Sequence, residues 1–421
     1  MIPILSHETF DIAAHVRPGD RIVVGQCTAE PLTLTEALVQ AAPAIGTVDV
    51  FLGTGFSRTF RPDGPENLRL SAYGATGTNV ALSRAGRLDV LPMHYSALAE
   101  AYAGKALTAD VVLIQLRQGR NGLSLGLAND YVAQAARHAR TVIAEVNPDV
   151  PETAGSPLPD GIEISAFVAA AKPPVEAQAS RLDEVAQRIG AHLAALIPDR
   201  ATLQIGIGAI PDATLAALGE HRDLGIHSGV ATDRVLDLIG KGVVTNRFKP
   251  FDQGVTVANT LIGTRRLYDF ADGNAAVEVR PTSHTHDYGV LRRIDRFHAI
   301  NSAIEVDLTG QVNSEMAGGV CVGGVGGLVD FARGGRAAPG GRAIIALPST
   351  AAGGTVSRVV PRVAAVTLPH SDVDLIVTEH GVADLRGVTL AQRAERMIAI
   401  ADPAFREDLA RHWRDAASGQ R

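Results

Sequence analysis

Two glycine-rich stretches hold the residues best placed to do chemistry. The first spans residues 203–246, LQIGIGAIPDATLAALGEHRDLGIHSGVATDRVLDLIGKGVVTN. It reads as two strand–turn–helix units in succession. A β-rich run at 203–207 opens into a turn over 206–208 and a helix from about Asp212. A second apolar run, 224–227, leads to a turn and a helix beginning near Thr232. Loops at the C-terminal ends of parallel strands are where open α/β sheets bind ligands. Glycines there let backbone N–H groups approach a phosphate or a developing oxyanion. The second stretch, 318–327 (GGVCVGGVGG), is the densest glycine cluster, followed by Asp330, Phe331 and then RGGRAAPGGR. Ordering so many glycines costs conformational entropy, which close approach of the backbone to a ligand would offset. A surface loop is the alternative. No Gly-Lys-Ser/Thr follows, and no GxGxxG with its acidic partner is present, so neither a Walker loop nor a dinucleotide fingerprint applies.

Other reactive side chains offer less. His284 and His286 form an H-T-H, and His221 and His227 lie six apart, but none has metalloprotease or zinc-finger spacing. Surface or hydrogen-bonding roles are favoured for them, and no metal is expected. Ser349 lacks a G-x-S-x-G elbow. Cys321 reads as a small packed thiol.

The elements that must position these residues alternate. Near-continuous apolar runs at 21–25, 47–53, 87–91, 110–116 and 141–146 suit strands buried on both faces. Helical patterns lie between them, such as 31–41 and 129–139, the latter with Asn129 as N-cap. Six prolines within 147–174 mark a connection between domains. An amphipathic helix follows, carrying Leu182, Val185, Ala186, Ile189, Leu193 and Leu196, and is stopped by Pro198. Further strands are expected at 203–207, 255–262, 277–280, 300–308, 343–347, 363–368 and 375–378, then a helical region at 390–413 with Trp413 as a packing anchor. Such alternation predicts parallel, doubly wound α/β sheets.

Composition narrows the function. The chain has 421 residues, 46% hydrophobic, with net charge −6. That length accommodates two or three domains, and the charge argues against a nucleic-acid partner. Two distant cysteines, Cys27 and Cys321, suggest no disulfide framework and fit a cytoplasmic location. The N-terminal sequence lacks a signal-peptide pattern, and no apolar run approaches the roughly 18–20 residues that would span a membrane.

Several motifs carry a family resemblance. GIGAIPDATLAAL, DLGIHS and KGVVTN are similar to the acetyl-CoA hydrolase/transferase family, which includes 4-hydroxybutyrate, butyrate and succinyl–acetate CoA-transferases. The likeness continues through GQVNSEMAGG, GVGGLVDF, IIALPST, SRVVP, VTEHGVADLRG and IADPAFREDL, and includes GQCTAEP and VIAEVNPDVPETAG in the first half. It thus covers nearly the whole chain in order. The resemblance implies two open, mainly parallel doubly wound α/β domains packed face to face, 1–175 and 176–421, with coenzyme A in their cleft. It implies acyl-CoA and a small carboxylic acid as substrates, no permanently bound cofactor, and a homo-oligomer, dimer or tetramer. By the same resemblance, Gly206, Ile207, Gly208, Ala209 and Ile210 would contact CoA. Gly323, Gly324, Gly326 and Gly327 would line the acyl-thioester pocket, where one backbone oxyanion donor is commonly worth about 3 kcal/mol.

In the family a glutamate attacks the acyl-CoA and passes through a mixed anhydride to an enzyme–CoA thioester. It normally sits in a pattern like H-[ST]-E-x-x-x-D-G. Here the residues are His227, Ser228, Gly229, Val230, Ala231, Thr232, Asp233 and Arg234. The flanks align without a gap, so Gly229 stands at the nucleophile position. Arg234 replaces the usual glycine, Leu328 a common Gln, and His370 an expected Arg. Three routes stay open: direct attack by water or an acid substrate, another carboxylate such as Asp233 or Glu315, or CoA-ester binding without turnover, alone or beside a partner subunit.

Overall fold

The computed structural model describes residues 3–418. The chain forms two compact units. One takes the chain up to Gln178 together with Val257–Thr285 and Val320–Gly326; the other takes Ala179–Thr256, His286–Gly319 and Gly327 onward. The expected boundary near 175–176 is thus followed by two returns of the chain to the first unit.

In the first unit the apolar runs form β1 (Ile4–Leu5), β2 (Arg21–Val24), β3 (Val48–Leu52), β4 (Leu68–Ala72), β5 (Leu88–Val90), β6 (Val111–Gly119), β7 (Gly122–Ser124), β8 (Thr141–Val146) and β9 (Ala166–Ala169). Their order is β1-β9-β8-β6-β2-β3-β4-β5, all parallel, with β7 antiparallel on β6. Successive side chains of a strand enter opposite layers. Ile22 and Val24 join Leu34, Leu38, Val50 and Leu113 on one face. Val23 joins Phe51, Val112, Ile114 and Tyr131 on the other. Helix α1 (Leu32–Ile45) supplies Leu34 and Leu38, α2 (Tyr95–Ala103) supplies Tyr95 and Leu98, and α3 (Val132–Ala136) covers the second face. Each such side chain contributes about 1.5–3 kcal/mol on burial.

Two expectations change here. The proline-rich run lies inside this unit and contributes β9, whose four residues contain no proline and pair with β8. Helix α3 starts at Val132 rather than Asn129. The Asp130 carboxylate accepts from Val132 N at 2.9 Å, while Asn129 Nδ2 donates to Gly155 O at 3.1 Å.

The second unit begins with α4 (Glu184–Leu196), capped by Asp183, whose carboxylate accepts from Ala186 N at 2.7 Å. Its stripe Ala186, Ile189 and Leu193 is buried as the spacing predicts. Gly190 lets α4 lie close on α5 (Ala209–Ala217): a Cβ there would come within 2.8 Å of the Ala213 carbonyl. The strands are β10 (Thr202–Ile205), β11 (Gly225–Ala231), β12 (Phe297–Ser302), β13 (Arg342–Ala346), β14 (Leu375–Thr378) and β15 (Gly381–Asp384). Within this unit they run β11-β10-β12-β13-β14-β15, parallel except for the final antiparallel pair. Helices α6 (Asp233–Gly240) and α7 (Leu328–Ala337) follow β11 and precede β13.

The expected strand at 300–308 divides, because Glu305–Asp307 leaves β12 to pair with Val312–Asn313 and Val359–Val360. Residues 363–368 form no strand, although Leu368 makes one bridge to Val312. The C-terminal helical region breaks at Asp402–Pro403, where proline cannot continue Leu390–Ile400, and resumes as Arg406–Ser418. Trp413 is half-buried. Among the described residues, no helix is long and apolar enough to cross a membrane.

Candidate active site

The candidate residues of the second unit gather at the C-terminal ends of β10 and β11. After Ile205 the chain turns through Gly206, Ile207 and Gly208 into α5. Gly208 is the N-cap residue with φ 115° and ψ −178°, a conformation that L side chains rarely adopt. A Cβ on Gly206 or Gly208 would meet nothing within 4 Å, and Ile207 is 41% exposed. Ala209 and Ile210 open the helix, whose N-terminal end carries partial positive charge. This turn is open around its backbone.

Strand β11 runs on to Ala231, so Gly229 lies within the strand and not in the turn expected after His227. Its neighbours are fixed by burial. The His227 ring stands edge-on to Phe251 and Phe297, with centroids 6.3 Å away in each case. Ser228 Oγ donates to Ile205 O at 3.0 Å, tying β11 to β10. At Gly229 the space for a side chain is tight, so that its neighbours would have to give by a few tenths of an ångström. A Cβ there would lie 3.2 Å from His286 Nε2 and 3.3 Å from Phe331 Cε2. A Cβ on Gly327 would lie 2.8 Å from His286 Cδ2 and 2.9 Å from its Nε2. The imidazole rests on Phe331, ring centroids 4.5 Å apart. Burial pushes His286 down to about 3, which keeps the ring neutral at physiological pH.

Nothing in the sequence around His286 points to a part in the site. Its H-T-H setting held no signal, because its partners are glycines distant in sequence.

The two acids that the motif sets nearest to Gly229 are Glu315 and Asp233. Glu315 Oε2 accepts from Thr367 Oγ1 at 2.6 Å. Asp233 is buried in the first turn of α6, behind the N-cap residue Thr232. Arg234 reaches Asp237, 3.7 Å away on the same helix. Ser349 is fully buried and donates its hydroxyl to Glu379 Oε1 at 2.6 Å. Leu328 is buried at the start of α7, and His370 O accepts from Arg393 Nη1 at 3.0 Å.

The glycine loop of the first unit is used differently. Gly323 O accepts from Ala75 N at 2.7 Å, Gly326 O from Tyr95 N at 2.9 Å, and Cys321 O from Ser83 Oγ at 2.6 Å. The loop therefore crosses the C-terminal ends of β4 and β5. Gly74 and Gly324 face each other so closely that a Cβ on either would lie 2.8–2.9 Å from the other's Cα. These glycines serve the approach of backbone to backbone.

Beside that crossing lies a buried polar cluster. Gln26 Nε2 donates to Tyr95 Oη at 2.7 Å, Tyr73 Oη donates to Gln26 Oε1 at 2.9 Å, and Tyr95 Oη donates to Asn259 Oδ1 at 2.9 Å. Asp130 lies in the same buried region, and desolvation raises its carboxyl to about 6. Cys27 takes a positive φ of 53°, and burial pushes its thiol well up. A cavity of about 20 Å³, lined in part by Gln26, Glu30, Gly53, Thr54 and Asn79, opens at the ends of β2 and β3.

The open, largely parallel sheets and their structural neighbours define a CoA-transferase type of α/β protein. The crystal structure of RipA from Yersinia pestis matches with a TM-score of 0.88 at 32% identity, over 97% of this chain and 96% of that one. A 4-hydroxybutyrate CoA-transferase from Porphyromonas gingivalis matches with a TM-score of 0.82 at 32% identity, over 98% and 97%. In sequence, the 4-hydroxybutyrate coenzyme A transferase of Clostridium kluyveri is 40% identical over 396 residues, 92% of each chain. Residues 263–413 match the family model for the acetyl-CoA hydrolase/transferase C-terminal domain. The chain belongs to the acetyl-CoA hydrolase/CoA-transferase family.

Proposed function

We propose that this protein processes acyl-CoA, either transferring CoA between a thioester and a small carboxylic acid or hydrolysing the thioester, without a covalent glutamyl–CoA intermediate. CoA is then a substrate and not a resident cofactor. The observation that carries the reading is Gly229. In the family pattern it holds the nucleophile's place, yet it has no carboxylate, and a side chain there would press on His286 and Phe331. The nucleophile is then water or the acid substrate itself. Its oxygen bonds to the acyl carbon, and the tetrahedral intermediate collapses as the C–S bond breaks and the thiolate leaves. With water this releases acid and free CoA. With an acid substrate it leaves a mixed anhydride, whose other carbonyl the thiolate attacks, expelling the original acyl group as its carboxylate and forming the new thioester.

Two features support the binding half. The open turn Gly206–Ile207–Gly208 with Ala209 and Ile210 offers backbone at a helix N-terminus, a setting that favours phosphate oxygens. The loop residues Gly323, Gly324, Gly326 and Gly327 keep the proposed acyl-pocket role only through backbone groups not already spent on Ala75 and Tyr95.

The purified protein incubated with a panel of acyl-CoAs, with and without carboxylic acids, tests this. Acid-dependent exchange of CoA identifies a transferase, and release of free thiol without acid identifies a hydrolase. CoA binding with neither activity on any acyl-CoA would overturn the enzyme reading in favour of a binding protein or a subunit that needs a partner.

A further inference from the structure

We infer that His286 takes the volume of the missing side chain at position 229, so that Gly229, Gly327 and His286 form one interlocked set closed to an acidic nucleophile. For its chemistry this rests on the family reading of position 229; for its packing it rests on geometry alone. Nε2 of the imidazole faces both glycines, at 3.2 Å from a Cβ on Gly229 and 2.9 Å from one on Gly327. Phe331 Cε2 closes the same space at 3.3 Å and 3.0 Å. His286 is only 4% exposed, so the ring has little solvent to retreat into. Adding atoms to a filled core forces side chains off their rotamers. A glutamate at 229 adds a carboxymethyl group beyond Cβ and presses its carboxylate into a desolvated space, where an unpaired charge is costly. Restoring a nucleophile therefore takes two changes, one to supply the carboxylate and one to vacate its place.

The test compares Gly229→Glu with the double variant Gly229→Glu/His286→Ala, each incubated with acetyl-CoA and followed by intact mass. In the covalent route the carboxylate oxygen bonds to the acetyl carbon as the C–S bond breaks. The released thiolate then attacks the glutamyl carbonyl and expels acetate, leaving CoA on the protein. The single variant is expected to show no adduct, and the double variant at least tenfold more, approaching one CoA per chain. Equal adduct in both would overturn the inference. No adduct in either, with CoA binding retained, would overturn the family reading of position 229 instead.

The packing half has its own readout, which does not need the glutamate variants to fold. Gly229→Ala is expected to lower the unfolding midpoint in the native background and to lower it much less in a His286→Ala background. An equal drop in both would overturn the interlock.

Discussion

The two glycine-rich stretches look alike in sequence and behave oppositely in the fold. In the first unit, Gly74 and Gly324 meet backbone to backbone, and the loop around Gly323 and Gly326 spends carbonyls on Ala75 and Tyr95. In the second unit, the turn at Gly206–Ile207–Gly208 has nothing within 4 Å of either glycine's side-chain position. Glycine density therefore marks close approach without saying what approaches. One stretch is filled by its own chain, and the other leaves open space around its turn. Gly229 belongs with the filled kind, since a buried ring lies against it.

The sharpest way to press this contrast is through the ring that fills the space. Burial holds His286 at about 3 in the folded protein, below its ordinary value, so the unfolded chain binds more protons between the two. Stability is then full above about pH 6.5 and is lost as pH falls towards 3. Over three pH units this amounts to about 4 kcal/mol. Urea unfolding along that range should show the native protein losing more stability than His286→Asn; identical slopes would place the ring in contact with water.

Next in size is the backbone crossing. Gly74→Ala is expected to cost about 3 kcal/mol, because its methyl would lie 2.8 Å from Gly324 Cα, where only backbone is available to move. A thermal midpoint unchanged by this substitution would break the comparison. At the open turn, Gly208→Ala should cost less, about 2 kcal/mol, and only through its positive φ. Gly206→Ala should change stability by no more than about 0.5 kcal/mol. It should nonetheless weaken CoA binding measured by calorimetry, and full affinity would remove the turn from the CoA site.

Much of the fold was legible because it depends on local periodicity. The largely buried strands β2, β3, β6 and β8 coincide with apolar runs, β5 does so too but without a buried residue, and α4 shows the expected stripe. The failures come where the partner decides. Residues 300–308 read as one strand, INSAIEVDL, yet Glu305–Asp307 pairs with Val312–Asn313 and Val359–Val360 instead of extending β12. Asn129 is a good N-cap residue by type, but its amide is drawn to Gly155 O. The site shows the same limit. Gly229 could be read from its motif, whereas His286 could not, because only the fold sets its ring against two glycines.

The central claim is that the chemistry proceeds with no CoA bound covalently to the protein. Intact mass of the native protein, quenched in acid at intervals during turnover of an acyl-CoA, addresses it directly. The account expects an unmodified mass at every time while free CoA or a new thioester accumulates. A transient mass increase of one CoA, removable by hydroxylamine, would contradict it.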